Sequence, residues 1–160
     1  MNTNVKKLCQ AAIIAAIYIV LTFLANAFGL ANYAVQVRFS EALTVLPFFT
    51  SVAVPGLFVG CLLSNILTGC ALPDIIFGSI ATLIGAVGTH LLRKKSKWLA
   101  PVPPIVANAI IVPFVLKYAY GIEPLWFSFV TVTAGEIISC GVLGILLINA
   151  LNKHKDKLFD

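Results

Sequence analysis

Four charged side chains stand inside or beside long apolar runs: Glu136, Glu41, Arg38 and Asp74, in a chain of 160 residues that is 60% hydrophobic and only 11% charged. Placing one charge at the middle of a bilayer costs about 3 kcal/mol, so such side chains face a bundle interior or a cavity. Glu136 is the most informative of them. It lies within VTVTAGEIISCGVLG, where Gly135, Ser139 and Gly141 permit close helix approach. A carboxylate there can accept two parallel N–H bonds from a guanine-like edge, or pair with an ammonium. Asn108 and Asn65 add amides that both donate and accept, and Trp126 and Tyr33 offer flat faces for stacking. These groups suit a planar, hydrogen-bonding solute that is cationic or neutral. An anionic solute would want more basic residues than Arg38 and Lys117.

Each of these residues also has a plain structural role open to it. Glu136 can be satisfied by a hydroxyl of a neighbouring helix or by Arg38. Arg38 and Glu41, three apart, can form a local ion pair. Asp74 can cap the helix that follows it. Asn65 and Asn108 can tie helices together, and the aromatic residues can form an interfacial belt. Lys117 and Glu123 have the character of ordinary interface residues.

Catalytic chemistry finds little support. There is no GxxxxGK[ST], GxSxG or HExxH pattern, and the four cysteines (Cys9, Cys61, Cys70, Cys140) have no metal-ligand spacing. With two histidines only, His90 beside a basic cluster and His154 in the tail, no metal site and no enzyme is expected. The cysteines are read as small apolar helix residues.

The elements that must position the polar residues are membrane helices. A mean hydropathy of +1.01 excludes water as the main solvent, against roughly 25% charged residues in a soluble domain. Apolar stretches run over 8–28, 42–68, 75–92, 101–116 and 125–151. Nine of the 11 Lys and Arg fall in three clusters, at Lys6 and Lys7, at 93–97, and at Lys153, Lys155 and Lys157. The positive-inside rule places all three on the cytoplasmic side, so an even number of crossings separates the first from the second. The 42–68 stretch must then be two short segments, both crossing fully or forming a re-entrant pair, broken at Pro55-Gly56 and shielded by neighbours. The expectation is a compact all-α bundle of six transmembrane helices, with both termini cytoplasmic and residues 1–160 forming one integral membrane domain. Six spans take about 120 residues, leaving no room within this length for a soluble ATPase domain. The first stretch is longer than a signal-peptide core and is expected to stay uncleaved.

One further signal lies on the first helix. Ala11, Ala12, Ala15 and Ala16 form two overlapping AxxxA pairs, a face that lets another helix approach closely; internal packing is the alternative.

The stretch VQVRFSEALTVLPFFTSVAVPGLFVGCLLSNIL (35–67) followed by DIIFGSIATLIGA (74–86) resembles the QueT family, as do LAPVPPIVANAIIVPF (99–114) and AGEIISCGVLG (134–144). Those proteins are substrate-binding S components of energy-coupling-factor importers associated with queuosine precursors. The resemblance implies a bacterial plasma-membrane protein without catalytic activity or a cofactor of its own. It would dock on a transmembrane T subunit and two cytoplasmic ATPases that use ATP, through the Ala11, Ala12, Ala15 and Ala16 face. The implied cargo is preQ1 (7-aminomethyl-7-deazaguanine) or a relative such as preQ0 or queuine. The candidates for the cargo site, read from the residues themselves as the polar and aromatic groups of the outer half, are Glu136, Glu41, Arg38, Asn108, Asp74, Asn65, Trp126 and Tyr33. A stand-alone secondary transporter for a purine-like solute is the competing reading, disfavoured by the lack of a visible inverted repeat.

Overall fold

A computed structural model describes residues 3–30 and 37–155. Among these residues the protein is entirely helical. Helix α1 (Thr3–Ala27) is followed by a 3-10 segment (Phe39–Phe48), α2 (Ala53–Leu67), α3 (Leu72–Leu92), α4 (Val102–Tyr120) and α5 (Leu125–Glu136). A π-helical turn (Ile137–Leu143) carries α5 without a break into α6 (Gly144–Asn152). Four continuous helical stretches are long and apolar enough to cross a membrane: Thr3–Ala27, Leu72–Leu92, Lys97–Tyr120 and Leu125–Asn152. The 25 residues of α1 rise about 37 Å, more than the roughly 30 Å hydrocarbon core.

The 3-10 segment and α2 are shorter. Every residue from Ser40 to Pro47 is buried, so this segment is shielded by protein, as a short polar-bearing helix in lipid must be. The break between the two lies at 49–52, not at Pro55-Gly56. Pro55 falls in the first turn of α2, where a missing N–H breaks no intrahelical bond.

Glycines allow the closest approaches. On α2, Gly56 and Gly60 receive α1: a Cβ at Gly56 would lie 2.8 Å from the Ala11 carbonyl oxygen, and one at Gly60 would lie 2.9 Å from Tyr18 Cβ and 3.0 Å from Ala15 Cα. The AxxxA face is therefore divided. Ala15 is buried and Ala11 half-buried against α2, while Ala12 and Ala16 are exposed. Ala11 and Ala15 pack inside the bundle, and Ala12 and Ala16 stay exposed.

The six helical stretches run alternately between two ends of the bundle. At one end α1, α2 and α4 finish and the 3-10 segment and α3 begin, since Asn26, Arg38, Asn65, Asp74 and Tyr120 line one cavity there. At the other end His90 Nδ1 lies 3.1 Å from the Pro47 carbonyl, and Lys97 Nζ donates to Asn149 Oδ1 at 2.9 Å. Gln10 and Leu151 share a groove with Thr50 at that same end. The basic residues at the start of α1, after α3 and after α6 therefore gather at the end opposite the polar cavity.

Candidate functional site

The site is built from inward faces of every helical stretch. On α1, Tyr18 and Thr22 stand four apart and so share a face. Tyr18 is 1% exposed and its hydroxyl donates to Glu41 Oε1. Thr22 Oγ1 lies 2.9 Å from Ser40 Oγ. The 3-10 geometry brings Ser40, Glu41 and Thr44 into the interior together. From the far side, the π turn follows directly on Glu136, a position where such turns often mark functional sites. Cys140, in that turn, donates to Glu136 Oε2 at 3.1 Å, with its sulfur also 3.3 Å from Thr44 Oγ1 and from the Glu41 carbonyl.

These contacts bring Glu41 and Glu136 face to face. One carboxylate oxygen from each, with the Cys140 sulfur, lies within 4.8 Å of the others. Both carboxylates are buried, at 2% and 7% exposure. Two unit charges at that separation repel by about 3.5 kcal/mol even at an effective dielectric of 20. Arg38, which lines the same pocket as both carboxylates, offsets this only in part. It pairs with Asp74 across the bundle at 4.0 Å and with no other carboxylate among the described residues. Asn108, from α4, lies beside both carboxylates, yet its Nδ2 has no hydrogen-bond partner of normal geometry, and neither has Glu41 Oε2. The deep pocket they line with Arg38, Gly78, Thr82, Val112 and Val132 has a volume of only about 10 Å³, about the room one water needs.

Above it, and sharing Arg38, lies a cavity of about 190 Å³ at the rim. That is smaller than the roughly 300–1,000 Å³ of sites for drug-sized ligands, and suits a small solute. Here Asp74 Oδ2 accepts from Tyr120 at 3.1 Å, and Tyr120 in turn accepts from the Ala71 N–H at 3.0 Å. Asn65 Nδ2 donates to the Asp74 carbonyl at 3.4 Å.

Several sequence expectations change. Arg38 does not pair with Glu41; its partner is on α3. Asp74 does not cap α3, whose N-cap is Ala71 and carries no side-chain cap. Glu136 finds its donor on its own helix, in a thiol, rather than in a neighbouring hydroxyl or Arg38. Trp126 is 67% exposed and packs edge-on against Phe127 at 6.1 Å, outside both cavities. Tyr33 lies outside the described residues. Glu136, Glu41, Arg38 and Asn108 do converge on the deep pocket, and Arg38, Asp74 and Asn65 on the rim cavity.

The sequence reading missed Tyr18 and Cys140, which orient the two carboxylates, and did not single out Tyr120. Their signals were present: Tyr18 and Thr22 are the polar pair on an apolar helix face, and Cys140 is four residues beyond Glu136. Cys61 likewise accepts from Thr82 at 3.3 Å rather than serving only as an apolar filler.

Four apolar helices of membrane length around buried charged side chains define a helical membrane protein. The chain belongs to the QueT transporter family, whose model matches residues 8–153. No curated protein and no solved structure matches it.

Proposed function

We propose that this protein is the substrate-binding S component of an energy-coupling-factor importer, and that it captures preQ1 or a related 7-deazaguanine outside the cell. The observation that carries the reading is the convergence of Glu41, Glu136 and Asn108 in a deep pocket that shares Arg38 with the rim cavity of about 190 Å³, so that a solute held in the rim cavity reaches them, in a QueT-family chain. A deazaguanine edge offers parallel N–H donors to one carboxylate, and an aminomethyl ammonium matches the other. With the basic clusters cytoplasmic, both termini lie inside and the rim cavity opens outward. A T subunit and two ATPases would complete the importer, with ATP hydrolysed by the partners and no cofactor held by this chain. Ala12 and Ala16, exposed on α1, are the small residues left for docking.

Calorimetry on the purified protein in detergent, without ATP, tests the cargo. PreQ1 binds, and Glu136→Gln weakens it about 10- to 100-fold, as loss of a hydrogen bond to a charged group does. No binding of any deazapurine overturns the assignment. For docking, Ala12→Trp abolishes co-purification with the T and ATPase subunits, whereas retained assembly removes that role.

The buried carboxylate pair favours one second reading, a stand-alone carrier driven by protons. Uptake into proteoliposomes holding this chain alone, under a pH gradient, would establish that reading over the first.

A further inference from the structure

We propose that the Glu41–Glu136 pair is a site for one monovalent cation, held by a proton when empty and by the solute's ammonium when loaded, so that each cationic solute captured displaces one proton. This rests on the solute-capture reading above and extends it to what the site exchanges.

The geometry leaves the pair short of positive charge. Its carboxylate oxygens come within 4.8 Å of each other in the interior, where two ionised carboxylates cannot coexist without a cation. Among the described residues facing them from each packed element the one cation is Arg38, and Asp74 shares it. From α1, Tyr18 is a neutral phenol that donates to Glu41. At the head of the 3-10 segment, Arg38 is engaged by Asp74 of α3. From α2, Cys61 is a thiol occupied by Thr82. From α4, Asn108 is a neutral amide, and from the π turn, Cys140 donates to Glu136. The pair therefore has room for one positive charge.

Two further observations point to a ligand group there. Glu41 Oε2 and Asn108 Nδ2 are both buried in residues lining the deep pocket, and although Asn108 lies beside both carboxylates, neither atom has a hydrogen bond of normal geometry. Glu41 Oε2 is an acceptor open to an ammonium, which only donates, and Asn108 Nδ2 is a donor open to an acceptor elsewhere on the solute. A divalent metal is the less suitable occupant. It would need the Cys140 thiol, already committed to Glu136 and close to Thr44, to lose its proton and bring a third negative charge inside.

The exchange is measured by titrating the purified full chain with preQ1 and with preQ0, the neutral nitrile, in two buffers of different ionisation enthalpy at one pH. The expected release is about one proton per preQ1, and none per preQ0, because only the ammonium replaces the proton. Affinity for preQ1 falls about tenfold for each unit of acidification, while that for preQ0 does not change. Glu136→Gln imitates the protonated member of the pair, so it binds preQ1 weakly with no proton released and keeps its affinity for preQ0. Infrared spectra supply a ligand-independent arm. A protonated-carboxyl band is present in the empty protein at neutral pH and missing from Glu136→Gln.

PreQ1 binding without proton release, or equal release with preQ0, overturns the exchange and leaves the cargo reading intact. No binding of either deazapurine overturns the cargo reading and the exchange built on it. Absence of the carboxyl band, or a divalent ion found at about one per chain by elemental analysis, overturns the exchange whatever the cargo.

Discussion

Two buried acidic centres lie one above the other, and Arg38 lines the cavities of both. At the rim, Asp74 has a guanidinium at 4.0 Å and a phenol donor at 3.1 Å, and that phenol is itself satisfied by a backbone N–H. In the deep pocket, two carboxylates face each other with only Tyr18 and Cys140 as donors, and an oxygen and an amide are left over. The rim acid has its polar partners, although a cavity of about 190 Å³ stays open beside it, whereas the deep pocket, with only about 10 Å³, keeps unpaired polar atoms. A protein tolerates an incomplete polar site in its interior when something else completes it, since a buried polar atom without a partner costs about 1–3 kcal/mol. In the proposed reading this difference makes Asp74 a structural acid and the Glu41–Glu136 pair the binding one, a distinction that residue type alone does not make.

The most damaging way to erase that difference is to build a cation into the deep pocket. Glu136→Lys should abolish preQ1 binding, with a loss of about 1,000-fold or more, because a fixed ammonium opposite Glu41 occupies the place of the ligand's and repels it. Thermal unfolding followed in parallel checks that the fold persists. Asp74→Asn attacks the contrast from the other side. It frees Arg38, which lines both cavities, to turn toward Glu41. Calorimetry should then show preQ1 affinity lowered about tenfold and preQ0 affinity nearly unchanged. An equal loss for both ligands would mean that Asp74 touches the solute itself. Tyr18→Phe removes the donor to Glu41 Oε1 and leaves both oxygens of that carboxylate unheld. A loss of about 1–2 kcal/mol, or five- to thirtyfold in preQ1 affinity, is expected.

The architecture was legible in the sequence because charge and hydropathy are read directly by a membrane. The even-crossing argument from the basic clusters anticipated two short elements between α1 and α3, and two are present, the 3-10 segment and α2. Their boundary was misjudged because proline and glycine were read as breakers. Pro55 sits where a helix start tolerates it, and Gly56 is needed for the approach of Ala11. Within the site, Glu41, Glu136, Arg38 and Asn108 stood out as polar residues in apolar runs. Who pairs with whom did not, because partners such as Arg38 and Asp74, or Tyr18 and Glu41, meet only through the packing of different elements. Spacing along the chain favoured Arg38 with Glu41. The tertiary arrangement chose α3 instead.

The gentlest test concerns whether the rim is as self-contained as its contacts indicate. Tyr120 bridges the Ala71 N–H and Asp74 Oδ2 from the last turn of α4. Tyr120→Phe deletes both bonds but leaves the Arg38–Asp74 pair in place. Because the site is partly open to solvent, water can replace part of what is lost, and the net effect should be about 1 kcal/mol of stability. If the rim is only structural, preQ1 and preQ0 affinities fall by the same small factor, about threefold or less, and the proton released per preQ1 is unchanged. A larger loss confined to preQ1 would show that Asp74, once released by Tyr120, competes for the ammonium, and the two acidic centres would then act as successive stations for one charge rather than as a scaffold above a site.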